Sequence, residues 1–182
     1  MSFYQKLGNI VEKYNLSSRF IKLIFNFSPM YRRSTAKIIN VSDDLQKIEV
    51  KLAISYKNKN YNGSIFGGSM FAAVDPIPMV QLLHLLRNEF VVWDKSAEIF
   101  FKRPAKENLY ADFEFTDEEI ENIKNRVKTE KEITLVKTTY LKDKKREKIF
   151  CEVHKTIYVA EKNFYAEKKK MQEAKRSVQL SS

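Results

Sequence analysis

The 182-residue chain contains few of the residues that cross-link a fold or interrupt it. Cys151 is its single cysteine, which excludes an intramolecular disulfide and fits a reducing cytoplasm. With only four glycines, four prolines and no low-complexity run, the composition favours one compact domain. Its longest apolar run, residues 20–31, is interrupted by Lys22 and Asn26 and is too short for a bilayer span. No signal peptide is predicted, so we expect a cytoplasmic protein.

Acidic residues are outnumbered by basic ones, 23 against 33, which gives a net charge of +10. A charge of this size could favour binding to nucleic acid, to an anionic membrane or to a phosphorylated small molecule. Because the lysines are interleaved with acidic residues, a solvated surface is an equal alternative. Nucleic acid is not favoured, since there is no phosphate-binding loop and no RNA-binding aromatic signature. The basic amphipathic N-terminal segment could lie on a membrane surface, but packing on its own domain or on a partner chain is favoured.

Hydrophobic periodicity predicts an α+β fold, in which an antiparallel sheet wraps around a central apolar helix. The predicted helices cover residues 3–14, 18–27, 67–88, 118–128 and 161–176, and the predicted strands cover residues 36–41, 48–56, 91–102, 109–115, 133–141 and 149–159. The chain is divided into an N-terminal helical extension (1–33), a central domain (34–160) and a charged C-terminal helical tail (161–182).

A Gly-Gly pair opens the central helix and a carboxylate follows it along the same helix. Glycine lets a substrate approach the backbone, and the first amides of a helix have no partner within the helix. The amides of Gly67 and Gly68 can therefore stabilise a carbonyl oxygen that becomes an oxyanion. Asp75 lies in an otherwise apolar segment, where it could activate water. No cluster of His, Cys and Asp has metal-ligand spacing, so we expect neither a metal nor a cofactor.

This segment resembles the hotdog-fold thioesterase superfamily, and in particular its phenylacetyl-CoA thioesterase-like branch. Members of that branch carry Asn-x-x-Gly-x-x-His-Gly-Gly, followed seven residues later by Asp or Glu. The matching residues here are Asn60, Gly63, Gly67, Gly68 and Asp75, with Phe66 at the position of the His. The Phe-Gly-Gly version is similar to a DUF4442-type hotdog protein, and the resemblance covers residues 34–159.

The resemblance implies a hotdog fold and hydrolysis of an acyl-CoA thioester. Asp75 would be the general base or the nucleophile, and the amide of Gly67 or Gly68 would polarise the thioester carbonyl. Asn60 would orient water or substrate, and ordinary turn composition is the alternative explanation for this residue. In hotdog dimers the site lies between subunits, so Asn60 of one chain would face Asp75 of the other. A homodimer or homotetramer is expected, with coenzyme A as part of the substrate.

Further residues are candidates for substrate binding. Phe66 removes a polar group from the mouth of the site, Ser69 could hold water or serve only in helix packing, and Met70 belongs to an apolar helix suited to a medium, long or aromatic acyl group. Lys102 and Arg103 suit the phosphates of coenzyme A. The carrier could equally be acyl carrier protein.

Two features leave alternatives open. Phe100 and Phe101 could stack on a ligand, although a place in the sheet core is favoured for both. Pro76 and Pro78 should kink the central helix. This kink would re-aim Asp75 and either create an acyl pocket or spoil the attack. A non-catalytic acyl-binding or regulatory hotdog is therefore the second hypothesis, and a nucleic-acid or membrane binder is the third.

Overall fold

The computed structural model describes residues 18–87 and 89–180. In chain order its elements are α1 (Ser18–Phe27), α2 (Pro29–Arg33), β1 (Ala36–Val41), β2 (Lys47–Leu52), α3 (Gly67–Val74), α4 (Pro76–Leu85), β3 (Phe90–Phe101), β4 (Leu109–Glu114), α5 (Asp117–Glu130), β5 (Glu132–Lys142), β6 (Ile149–Glu161) and α6 (Lys162–Leu180). The helix predicted over residues 3–14 lies outside the described residues. Within them, no helix is both long enough and apolar enough to cross a bilayer.

The six strands form one antiparallel sheet in the order β1-β2-β4-β5-β6-β3. This confirms the predicted α+β class. The strand predicted over residues 48–56 is shorter than expected, because β2 ends at Leu52. Beyond it, the amide of Ile54 donates to Asn108 Oδ1 (3.0 Å) and the amide of Ser55 donates to Asn58 Oδ1 (2.8 Å). Asparagine side chains thus replace the sheet partners and turn the chain away.

The central helix is interrupted at Asp75, whereas the sequence pattern predicts one helix over residues 67–88. The amide of Asp75 still donates to the carbonyl of Phe71 (2.9 Å), but α4 starts afresh at Pro76. Proline has no amide hydrogen and is accommodated at the first position of a helix, so the break falls immediately before it. The interruption falls where the prolines predicted a disturbance of the helix, and it places Asp75 at the junction of two helices.

Only one side of α3 enters the core. Ala73 and Val74 are buried against the sheet, whereas Gly68 and Ala72 are exposed. Small residues on the outer side leave the backbone of this helix accessible. A second apolar cluster forms around α4 and α5, with Leu82 fully buried within it.

The two edges of the sheet differ. At the β1 edge, Asn26 of α1 donates to the carbonyl of Ile38 (2.8 Å) and accepts from its amide (2.8 Å), so the helix covers the edge. At the other edge, β3 pairs only with β6 among the described strands, and residues 93–98 are exposed. A register shift between Asp94 and Ser96 marks a bulge in this edge strand. An open edge of this length can pair with another strand.

Candidate active site

The N-terminal end of α3 presents unused backbone donors. The amides of Ser69 and Met70 donate to the carbonyl of Phe66 (3.0 and 3.2 Å). The amides of Gly67 and Gly68 make no hydrogen bond with any residue that the structure describes. These two donors lie at the positive end of the helix dipole, where a negative oxygen is stabilised.

Two phenyl rings lie directly over the glycines. A Cβ atom on Gly67 would stand 2.6 Å from Cζ of Phe101, and one on Gly68 would overlap the ring of Phe66. Both rings remain more than half exposed (56 % and 58 %). Glycine permits this close approach without a shift of either ring, so the rings and the backbone together form the mouth of the site. The predicted burial of Phe101 in the sheet core is wrong, and so is that of Phe100, whose ring packs beside His154 with 43 % of its surface exposed.

The exposed side of α3 leads from the glycines to the carboxylate. Gly68, Ala72 and Asp75 recur at intervals of four and three residues and share this side of the helix. Seven residues of helix span about 10 Å along the axis. A single carbonyl group therefore cannot touch both the Gly68 amide and the Asp75 carboxylate of the same chain.

Asp75 is held by a lysine that lies almost entirely out of water. The Nζ atom of Lys155 donates to Oδ1 of Asp75 and lies 3.0 Å from Oδ2 of Asp94. The Lys155 side chain is 4 % exposed, against 38 % for Asp75 and 27 % for Asp94. Its ammonium also lies 5.5 Å from the centre of the Phe71 ring. One buried cation thus serves two partly exposed carboxylates.

The register of β3 against β6 places Asp94 in this cluster. Asp94 pairs with Ile157 before the register shift, and Ala97 pairs with Lys155 after it, so Asp94 and Lys155 share the face of the sheet that carries α3. Burial raises the pKa of Asp94 above its usual value; Lys155 opposes this shift, and the neighbouring charge of Asp75 adds to it. A carboxyl group with a raised pKa beside a buried cation is typical of a functional site.

The sequence-based search missed both Lys155 and Asp94. A signal for Lys155 was present, because it occupies an inward-facing position in the alternation of β6, between Val153 and Ile157. A charged residue in a buried register requires a partner. A similar signal for Asp94 was present, because it follows the buried residues Phe90 and Val92 in the alternation of β3.

Asn60 is used within its own loop. Its Oδ1 atom accepts from the amides of Asn62 (3.0 Å) and Ser64 (3.1 Å), and its Nδ2 donates to Oγ of Ser64 (2.9 Å). These contacts are those of an ordinary turn, the alternative given for this residue. Within one chain, the described contacts do not bring Asn60 to Asp75. Its role opposite a partner's Asp75 stays a prediction.

The other candidate residues divide into two groups. Ser69 is partly exposed beside the free amides, whereas Met70 is buried in the core (3 %) rather than on the outer side of α3. The predicted role of Met70 beside an acyl group stays a prediction. Lys102 pairs with Glu152 (2.9 Å), and the guanidinium of Arg103 lies 5.9 Å from the centre of the Phe150 ring.

Cys151 is a buried residue of β6. Burial, with a smaller contribution from the charge of Glu152, raises the pKa of Cys151 to about 11, so at neutral pH the group is a thiol. Among residues 18–87 and 89–180, no three His, Cys, Asp or Glu side chains are arranged to hold a metal ion. Between Asp75 and Asp94, the compensating positive charge is supplied by lysine.

Comparison with known families then places the chain. Residues 17–159 match the model of a family described as a domain of unknown function, DUF4442. The chain belongs to the DUF4442 family. No curated protein matches its sequence.

Solved structures show the same fold at low sequence identity. A protein of unknown function from Pseudomonas aeruginosa, described as a probable thioesterase, is 15 % identical, with a TM-score of 0.71 over 80 % of this chain and 97 % of its own. A thioesterase from Haemophilus influenzae is 13 % identical, with a TM-score of 0.58 over 80 % and 92 %. Zebrafish thioesterase superfamily member 2 is 16 % identical, with a TM-score of 0.57 over 79 % and 98 %. The predicted hotdog fold and the family resemblance are confirmed.

Proposed function

We propose that this DUF4442 protein hydrolyses acyl thioesters of the acyl-CoA type. The observation that carries the proposal is the exposed side of α3, which leads from two unpaired amides to a carboxylate held by a buried cation. Its fold is shared with proteins that are named thioesterases, which supports this class of reaction.

The free amides suit the electrophilic half of the reaction. A thioester carbonyl oxygen placed at Gly67 and Gly68 gains negative charge as its carbon is attacked, and these donors stabilise that charge. Phe66 and Phe101 stand over the same amides and would line the mouth with apolar surface. Together they suit an acyl or aromatic group next to the thioester bond.

Asp75 suits the other half of the reaction. As a general base it takes a proton from water, whose oxygen then attacks the carbonyl carbon, and the carbon–sulfur bond breaks to release a thiolate. As a nucleophile it would attack the carbon itself, and water would hydrolyse the resulting anhydride. In both routes Oδ1 of Asp75 keeps its contact with the ammonium of Lys155, and the other oxygen carries out the reaction.

The separation of the two halves supports a site built from two chains. Because Gly68 and Asp75 lie about 10 Å apart along one helix, a second copy must bring its Asp75 to the amides of the first. The open β3 edge offers a surface on which two copies can pair with twofold symmetry, so that each dimer completes two sites. A homodimer is the smallest active form in this proposal, and a homotetramer is compatible with it.

Basic residues near the mouth suit the phosphates of coenzyme A. Lys102 and Arg103 directly follow Phe101, whose ring covers Gly67. The side chain of Lys102 is 43 % exposed and Arg103 is exposed at the surface. Arginine offers a bidentate fork to phosphate, so we assign the larger share of carrier recognition to Arg103.

Binding of an acyl group without turnover is the second candidate function. The contact between Lys155 and Asp75 favours it, because the ammonium occupies Oδ1, which is then not available to take a proton from water. Such a protein would bind acyl-CoA in stoichiometric amount and release no thiol.

The two functions are separated by measuring thiol release across an acyl-CoA length series. We expect turnover by the wild type and a loss of about 10²–10⁴-fold in kcat for Asp75→Asn, which removes the base. The matched control is Asp112→Asn, which changes a carboxylate that also pairs with a cation, Arg146 at 2.7 Å, but lies away from α3. Binding without thiol release by the folded wild type would contradict hydrolysis and favour the second candidate.

A further inference from the structure

Lys155 is the one buried cation in contact with Asp75 among the described residues, and its place suggests more than a structural ion pair. We propose that Lys155 is a positioning residue for thioester hydrolysis: it holds one oxygen of Asp75 so that the other oxygen faces the water or thioester, and it shares its charge with Asp94. This inference rests on the proposed function.

Lys155 is the residue that fixes the orientation of the Asp75 carboxylate. Asp75 stands at the start of α4, but its side chain makes no capping hydrogen bond. Pro76 and Pro78 supply no amide hydrogen to it. The hydrogen bond found on its carboxylate comes from Nζ of Lys155 and uses Oδ1. Without that contact, a carboxylate that is 38 % exposed is free to rotate into water.

The depth of Lys155 makes the contact rigid. A long side chain at a surface has many rotamers, and an exposed ion pair has little directional effect. Lys155 instead projects inward from the middle of β6 and is 3 % exposed as a residue. An ammonium removed from water is strongly unfavourable unless it stays against its carboxylates. Its position is therefore fixed, and it fixes Asp75 in turn.

Asp94 shares the ammonium of Lys155 with Asp75. Nζ of Lys155 contacts both carboxylates, so Asp75 does not face an unshared cation. Asp94 lies on β3 and Asp75 lies between two helices, so the cluster also ties the sheet edge to the α3–α4 junction. Asp94 touches Lys155 and acts through it, so it too is a positioning residue.

A neighbouring lysine provides a matched control. Lys137 on β5 is the direct cross-strand partner of Lys155 and points to the same face of the sheet. It pairs with Glu119 of α5 at 2.8 Å and has no contact with Asp75 in the described residues. Substitution of Lys137 removes a charge of the same sign from the same face without disturbing Asp75.

The experiment compares Lys155→Ala and Lys137→Ala in the full-length protein. We expect Lys155→Ala to lower kcat by about 100-fold, the scale of a small misplacement of a reacting group. Binding of a non-hydrolysable acyl-CoA thioether should stay close to the wild-type value, because Lys155 does not contact substrate. Propylammonium, which replaces the deleted part of the side chain, should restore kcat in Lys155→Ala. Propylammonium should restore no activity in Asp75→Asn. The reaction of that variant also measures direct aminolysis of the thioester by the amine, which is subtracted. Lys137→Ala should keep the wild-type kcat.

Several results would overturn the inference: a folded Lys155→Ala with wild-type kcat, an equal loss in Lys137→Ala, or a loss that appears only as weaker thioether binding. If Lys155→Ala does not fold, the conservative Lys155→Arg is used, which should retain more activity than the neutral Lys155→Met. If the wild type itself releases no thiol, the proposed function fails, and the position of Asp75 is decided separately. In that case a crystal structure of Lys155→Ala should show the Asp75 carboxylate displaced, and an unmoved carboxylate would overturn the positioning role.

Discussion

Lys137 and Lys155 are cross-strand neighbours on one face of one sheet, yet they have different environments. Lys137 keeps 19 % of its side chain in water, pairs with the single carboxylate of Glu119 at 2.8 Å, and stands 4.1 Å from the centre of the Phe115 ring. The side chain of Lys155 is only 4 % exposed, and its ammonium contacts two carboxylates. The first lysine anchors α5 to the sheet, and the second lies beneath the exposed side of α3.

The pKa values of Glu119 and Asp94 shift in opposite directions beside the two lysines. For Glu119, burial opposes ionisation, but the hydrogen bond and charge of Lys137 together with the hydrogen bond from the amide of Thr116 outweigh it, so the pKa lies below its usual value. For Asp94, burial prevails over its hydrogen bond to Lys155 and the pKa lies above its usual value. The Lys137–Glu119 pair, in which one cation meets one carboxylate at the partly exposed surface, has a structural role. In the cluster of Lys155, Asp75 and Asp94, burial of Asp94 outweighs its contacts with the lysine, and a perturbed carboxyl group of this kind is typical of a functional site.

The largest expected effect is on stability. Lys155→Met leaves Asp75 and Asp94 without a counter-charge and should lower the free energy of unfolding by about 2–3 kcal/mol. That loss is less than for a fully buried pair, because both carboxylates keep part of their surface in water. Lys137→Met should cost below about 1 kcal/mol, since Glu119 is 46 % exposed and can be solvated. Urea unfolding of the two variants at neutral pH measures both, and equal losses would remove the distinction.

A smaller effect should appear in the pH dependence of stability. Because the pKa of Asp94 is raised above 3.8 in the folded state, the wild type should lose stability relative to Asp94→Asn as the pH rises from about 4. Because the pKa of Glu119 is lowered below 4.5, the wild type should lose its advantage over Glu119→Gln as the pH falls below that value. Each change should be about 1 kcal/mol or less. Urea unfolding between pH 3 and 7 should show the two differences running in opposite directions, and parallel curves would contradict the contrast.

Local patterns in the sequence predicted most of the fold. The alternation of apolar residues located the strands, and Pro76 predicted the break beside Asp75. The Gly-Gly pair and the carboxylate were found because their spacing along one helix is a local property. The candidate residues of α3 therefore needed no knowledge of the sheet.

The rest of the site depends on register and could not be predicted from local pattern. Asp94 continues the inward-facing alternation of Phe90 and Val92, but the register of β3 against β6 decides its partner, and a shift of one residue sends a side chain to the opposite face. Phe101 was assigned to the sheet core, but its position on the edge strand places its ring over Gly67 instead. Lys155 could have been suspected from its inward-facing position in β6, but its partners lie 61 and 80 residues away in the chain. Long-range pairing is the information that the local pattern lacks.

In the proposed dimer, a thioester carbonyl is held by Gly67 of one chain and attacked from Asp75 of the other. Gly67→Pro deletes the amide donor at the first position of α3, where proline is tolerated, and the extended backbone of Phe66 (φ −62°, ψ 133°) suits a following proline. Gly67→Ala is its control, since it adds a Cβ against Phe101 but keeps the amide. Loss of one such donor should lower kcat by about 10²–10³-fold.

The most direct measurement mixes unfolded Gly67→Pro and Asp75→Asn chains in equal amounts, refolds them together and follows acyl-CoA hydrolysis. In a mixed dimer, one site receives the intact glycine of one chain and the intact aspartate of the other. We expect the mixture to recover about a quarter of the wild-type kcat. Half of the dimers are mixed, and each mixed dimer contains one complete site instead of two. A mixture that stays as inactive as either variant alone would place the whole reaction within one chain and contradict the account.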